Sequence, residues 1–112
     1  MSGDDLKLLQ GTLDVLVLKA LEAGPMHGYG VARWIRETTE EALQVEEGAL
    51  YTALHRMERR GLLASRWGIS DNNRRAKFYR LTAKGQKQLA DRTRIWTSYA
   101  DAVFKVLGER RG

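Results

Sequence analysis

At 112 residues, 43% of them hydrophobic and 29% charged, the chain is long enough for one domain with a modest core and too apolar for a disordered segment. It has no cysteine, which excludes disulfides, thiolate metal sites and cysteine nucleophiles and fits a reducing cytoplasm. The net charge of +5 is unevenly carried: residues 1–55 balance to −5 and residues 56–112 to +10, so the second half is the candidate footprint for a polyanion.

In chain order, the acidic start MSGDD lacks the basic region of a signal peptide, and no apolar run approaches the roughly 18 residues of a membrane span. Leu9, Leu13, Leu16, Val17, Ala20 and Leu21 recur at helical spacing and predict a first helix, stopped by Gly24-Pro25. A second helix is predicted over 28–39, with Val31, Ala32 and Ile35 inward and Tyr29 and Trp34 on the flanks. Gly28 and Gly30 point to close backbone packing at its start. They do not make a phosphate loop, since no Gly-Lys-Ser/Thr follows.

A third helix is predicted over 46–60. Leu50, Ala53, Leu54 and Met57 share one face, and Gly48, Thr52, His55, Arg56 and Arg59 share the opposite one, with Tyr51 at the border. Glu46 and Glu47 suit the positive end of its dipole, and Gly61 ends it. Two strands follow, 62–67 and 76–81, joined by a polar tip over 70–75 that carries turn-forming residues and two arginines. Leu63 and Trp67 should lie on a side matching Tyr79 and Leu81.

Thr82 is the predicted N-cap of a last helix reaching about Leu107. Leu89, Trp96, Tyr99, Val103 and Val106 recur as in a coiled-coil seam, with Arg92 as the polar member. No later segment is left to cover that seam, so a second copy of the chain is the economical cover.

A polar-faced helix followed by a basic ribbon is the pattern of a winged helix-turn-helix. The fold expected is α+β, mostly α, with a DNA-binding region over 1–81 and a C-terminal dimerisation helix over 82–112, compact overall. The third helix would enter a major groove and the ribbon would grip the backbone beside it. The candidate DNA-binding residues are Tyr51, Thr52, His55, Arg56, Arg59, Arg74, Arg75 and Lys77. Arg56 or Arg59 could fork onto a guanine, Arg59 and Arg60 leaning to the backbone. Tyr51 has two readings, a hydroxyl aimed at phosphate or a filler of the core edge.

Arg74, Arg75 and Lys77 would meet phosphate or the minor groove; a merely solubilising tip is the alternative. His27 reads as a helix-start or packing residue, and no ligand spacing suggests a metal or other cofactor. Ser70-Asp71-Asn72 matches a fragment of a hydrolase signature, but its Ser-x-x-Lys partner is missing, so no enzyme is expected. A winged-helix module that binds protein without specific DNA binding is the competing function. The concentration of positive charge argues against it.

LQGTLDVLVLKAL (9–21), GPMHGYGVA (24–32), VEEGALYTALHRMERRGLL (45–63), NNRRAKFYRLT (72–82) and AKGQKQL (83–89) together resemble the PadR family of transcriptional regulators, in the short form abundant in acidobacteria. The resemblance implies a cytoplasmic winged-helix homodimer that represses transcription, here at an inverted-repeat operator of double-stranded DNA. Some relatives take phenolic acids or flat hydrophobic molecules at the dimer centre. Trp96, Tyr99, Leu89 and Val103 are therefore read as dimer-interface residues, with Trp96 and Tyr99 open to a second reading as walls of a planar aromatic effector site. One departure is Thr52, where many relatives carry proline; threonine there loosens the helix start and adds a hydrogen-bonding group.

Overall fold

A computed structural model describes residues 11–108. Helix α1 (Thr12–Glu22) buries Val17, Leu18, Ala20 and Leu21, so the expected apolar face forms with Leu18 added. Leu13 and Leu16 pack at the margin, and Leu9, expected on the same face, lies outside the described residues. Gly24, at φ 156°, takes the backbone turn that ends the helix segment before Pro25.

Met26 and His27 form a short strand β1, followed directly by helix α2 (Gly28–Thr38). His27 caps that helix, its Nδ1 accepting from the Gly30 N–H at 3.1 Å. Val31 and Ile35 are fully buried. Helix α3 (Glu47–Arg59) buries Leu50, Ala53, Leu54 and Met57, as the periodicity predicts. The Glu46 carboxylate caps its start by accepting from the Ala49 N–H at 3.0 Å. Its end is a Schellman motif: Gly61 sits at φ 81°, its N–H donates to Glu58, and the Leu62 N–H donates to Met57.

Strands β2 (Leu63–Ile69) and β3 (Arg75–Leu81) make the hairpin, longer at the tip than the sequence pattern suggests. They pair antiparallel with Leu63 opposite Leu81, Ser65 opposite Tyr79 and Trp67 opposite Lys77, so the predicted common face is observed. The tip closes as a tight turn: Asn73 N–H donates to Ser70 O and Asn73 takes φ 61°, a conformation asparagine tolerates. Strand β1 pairs with the other edge of β3, giving the sheet order β1-β3-β2. Sequence reading missed this third strand because two residues carry no alternation to detect.

Helix α4 (Ala83–Leu107) starts at Thr82, whose Oγ1 accepts from the Gly85 N–H at 3.0 Å and donates to Gly61 O at 2.6 Å. Gly85 is required there, because a Cβ would stand 2.1 Å from Leu62 O. The result is mostly helical with a small antiparallel sheet, the winged-helix arrangement.

Candidate nucleic-acid interface

Helix α3 turns Gly48, Thr52, His55 and Arg59 to solvent, opposite its buried stripe. Arg56 departs from the expected groove-facing set. Its guanidinium turns to the flank toward α1 and donates from Nη2 to Asp14 Oδ1 at 2.5 Å. The helix wheel places residue 56 only some 60° from the centre of the exposed face, so the pattern alone could not separate the two orientations.

The hairpin stands beside the other flank of α3. Ser65 Oγ donates to Glu58 Oε2 at 2.6 Å, and Lys77 Nζ lies 3.5 Å from Glu58 Oε1, so Glu58 ties the wing to the helix. Lys77 also sits 5.8 Å above the Tyr79 ring. Part of its charge is therefore answered within the chain. Arg75 stacks 4.7 Å over the ring of Trp67, which is 57% exposed. Arg74 is exposed at the tip and has no side-chain ion pair among the described residues.

Between wing and helix lies a cleft of about 450 Å³. Tyr51 and His55 from α3, Tyr29 and Arg33 from α2, and Trp67 and Arg75 from the hairpin line it. Tyr79 closes its floor, buried, with its phenol pKa pushed up first by burial and then by the Glu58 carboxylate and Tyr51. Tyr51 is half-buried and lies against Gly28, where a Cβ would come within 2.6 Å of its hydroxyl. The close packing expected at that glycine is present; Gly30 has only ordinary contacts. The cleft carries Arg33, Arg74, Arg75 and Lys77 against one carboxylate, Asp71. Its chemistry suits a phosphodiester: cations for the phosphates, rings for sugars and base edges.

Tyr29, Arg33 and Trp67 are among the cleft residues that the sequence-based set did not include. Tyr29 and Arg33 stand at i and i+4, and the Arg33 guanidinium lies 5.7 Å over the Tyr29 ring. That spacing was a usable signal. Trp67 lies on the side of the hairpin expected for it, with Leu63 and Tyr79, yet it is exposed.

The seam of α4 divides. Leu89, expected at an interface between copies, is only 5% exposed and belongs to the chain's own core. Arg92 reaches Asp14, and Trp96 Nε1–H donates to Thr12 Oγ1 at 3.3 Å. Helix α1 thus covers the first half of the seam, a cover the sequence pattern left out. Further along, Tyr99 is 59% exposed, Val103 is half-buried, and Ile95, Val106 and Leu107 are exposed. Trp96 and Tyr99 meet edge to face at 6.5 Å. Among the described residues no group of three or more His, Cys, Asp or Glu is placed to hold a metal, and no helix is long and apolar enough to cross a membrane.

The model of the transcriptional regulator PadR-like family matches residues 17–91. The fold is similar to that of a transcriptional regulator from Clostridium thermocellum, at TM-score 0.77 and 29% identity over 86% of this chain and 90% of that one. It is also similar to a PadR family transcriptional regulator from Eggerthella lenta, at TM-score 0.73 and 32% identity over 90% of this chain and 86% of that one. Bacillus subtilis PadR, solved in complex with operator DNA, shares the fold at TM-score 0.63 and 24% identity, over 70% of this chain and 45% of that one.

Proposed function

This chain belongs to the PadR-like family of transcriptional regulators, and we propose that it acts in the cytoplasm as a homodimeric repressor at an inverted-repeat operator. The observation that carries the DNA-binding reading is the cleft. An exposed helix face and a basic, ring-lined wall lie side by side, an arrangement that suits a groove and its flanking backbone. The operator-bound state of Bacillus subtilis PadR lends support through a shared fold.

In this reading Thr52 and His55 face base edges, and Arg59, exposed in the last turn of α3, leans to the backbone. Tyr51, Arg74, Arg75 and Lys77, joined by Tyr29 and Arg33, hold the backbone. Arg56 is assigned to Asp14 rather than to a base. Residues up to 81 form the DNA-binding region, and the exposed end of α4 meets its counterpart in a second copy. The motif set also supports the short-form branch abundant in acidobacteria. Selection of random duplex DNA on the purified protein tests the reading. An enriched inverted repeat is the expected result; salt-sensitive retention with no motif would favour the protein-binding module instead.

Relief of repression by a planar hydrophobic or phenolic effector is a further part of the proposal, supported by the exposed rings of Trp96 and Tyr99. A panel of planar aromatic dyes should quench tryptophan emission in the wild type and not in Trp96→Phe. Equal quenching in both would remove that site.

A further inference from the structure

Thr12 and Asp14 are the buried polar residues of the described chain, and both face α4. Asp14 lies in the first turn of α1 and spends its two oxygens on two different helices. Oδ1 accepts from Arg56 Nη2 of α3 at 2.5 Å; Oδ2 accepts from Arg92 Nη1 of α4 at 3.3 Å. Arg92 is itself braced, its Nε donating to Gln88 Oε1 at 3.1 Å. One turn on, the Trp96–Thr12 hydrogen bond fixes the same pair of helices again.

The remaining packing of α1 on these neighbours is apolar, through residues such as Leu18, Leu54 and Leu89. Apolar burial is non-directional, whereas a charge-assisted hydrogen bond to a guanidinium fork has a preferred geometry. Interlocked leucines hold the helices together and leave the last few degrees of their crossing angle to side-chain rotamers. A carboxylate shared between the arginines of two helices adds a directional restraint on that angle. One carboxylate also answers two cations here, so its loss leaves two half-buried guanidinium groups without a counter-ion.

We propose that Asp14 is a positioning residue for operator recognition. By tying α3 to α4 it fixes the angle between the helix that meets DNA and the helix that meets the second copy. It thereby sets which half-site spacing the assembled regulator accepts. This rests on the reading of α3 as the DNA-facing helix and of α4 as the dimer contact. The geometry makes spacing a sensitive reporter: adding one base pair moves a half-site by about 3.4 Å and turns it by roughly 35°. A rigid pair of recognition helices rejects that step, and a loosely hinged pair follows it.

The test uses the full chain and duplexes that hold the selected half-sites constant while the spacer varies one base pair at a time. Asp14→Asn keeps the side-chain shape and removes the charge. The wild type should show one preferred spacing. In Asp14→Asn the discrimination against neighbouring spacings should fall by at least about fivefold, a fraction of the cost of misplacing a base contact. Arg92→Gln cuts only the α4 arm, on a side chain 31% exposed, and should broaden the profile in the same way. Should Asp14→Asn fail to fold, Arg92→Gln decides alone.

Val17→Ala, which loses core packing and leaves the bridge intact, should keep the wild-type profile at reduced stability. Profiles of Asp14→Asn and Arg92→Gln that superimpose on the wild type would overturn the role and leave Asp14 as a fold-stabilising ion pair. A wild type with no preferred spacing would remove the dimeric reading, and the role of Asp14 with it.

Discussion

The cleft beside the wing and the far end of α4 both expose aromatic rings, and their neighbours differ. In the cleft, Tyr29 and Trp67 each carry a guanidinium over the ring. On α4, Trp96 and Tyr99 meet edge to face where the cover of α1 ends, on a stretch of helix that also exposes Ile95, Val106 and Leu107. An exposed ring alone does not name its partner. A ring that carries a guanidinium sets a cation beside a flat apolar face, and that pairing suits a nucleic-acid backbone and its bases. Rings among aliphatic side chains gain only by excluding water, and suit another apolar surface.

The comparison breaks most directly at α4. Placing carboxylates at Ile95 and Tyr99 should abolish self-association at micromolar protein in sedimentation experiments. With the two recognition helices untethered, operator affinity should fall by about 10²–10⁴-fold. Retained dimers in Ile95→Glu/Tyr99→Glu would move the interface elsewhere. Leu89→Ala sharpens the same point from the other half of the helix. Leu89 packs within its own chain, so its truncation should cost about 2–5 kcal/mol in denaturant unfolding. Below the unfolding transition the dimer should be intact. A variant that kept its stability and lost its dimer would show that Leu89 faces a partner after all.

Leu89 also marks where the sequence stopped being legible. Helices, caps and hairpin were readable because each is set by local rules: Thr82 before the last helix, Gly61 after the third, turn residues from 70 to 75. The seam on α4 was readable as a seam, since periodicity reports that a face is apolar. It does not report whether the cover comes from α1 or from a second copy. The same limit applies to Arg56. Its place on the helix wheel fits the exposed flank, and only a carboxylate 42 residues earlier turns it inward. Strand β1, two residues long, leaves no pattern. Long-range pairing, rather than local preference, accounts for these three misses, whereas Tyr29 and Arg33 carried a local signal in their i, i+4 spacing.

On the cleft side, neutralising Arg74 and Arg75 together should leave folding unchanged, because both are exposed. Each phosphate contact contributes about 0.9 to the slope of log K against log salt, so Arg74→Ser/Arg75→Ser should flatten that slope by nearly 2 if both arginines reach the backbone. A change near 1 would single out one of them, with Arg75 then held by its stack on Trp67. An unaltered slope would make the tip a solubilising loop and weaken the contrast with α4.

The smallest expected effect lies beneath the cleft. Burial first, and then the Glu58 carboxylate and Tyr51, raise the pKa of Tyr79 above its ordinary value of 10.0. A phenol with a raised folded-state pKa holds its proton more tightly in the native chain than in the unfolded one. Its contribution is fully present below pH 10 and is lost as pH rises through the folded-state value. Urea midpoints should therefore fall more steeply above pH 10 in the wild type than in Tyr79→Phe, which keeps the ring as the cleft floor and has no proton to lose. Parallel curves would mean that the phenol ionises as freely in the native chain as in the unfolded one. The floor would then be open to water, and the rings above it would be less well placed to exclude solvent from a bound backbone.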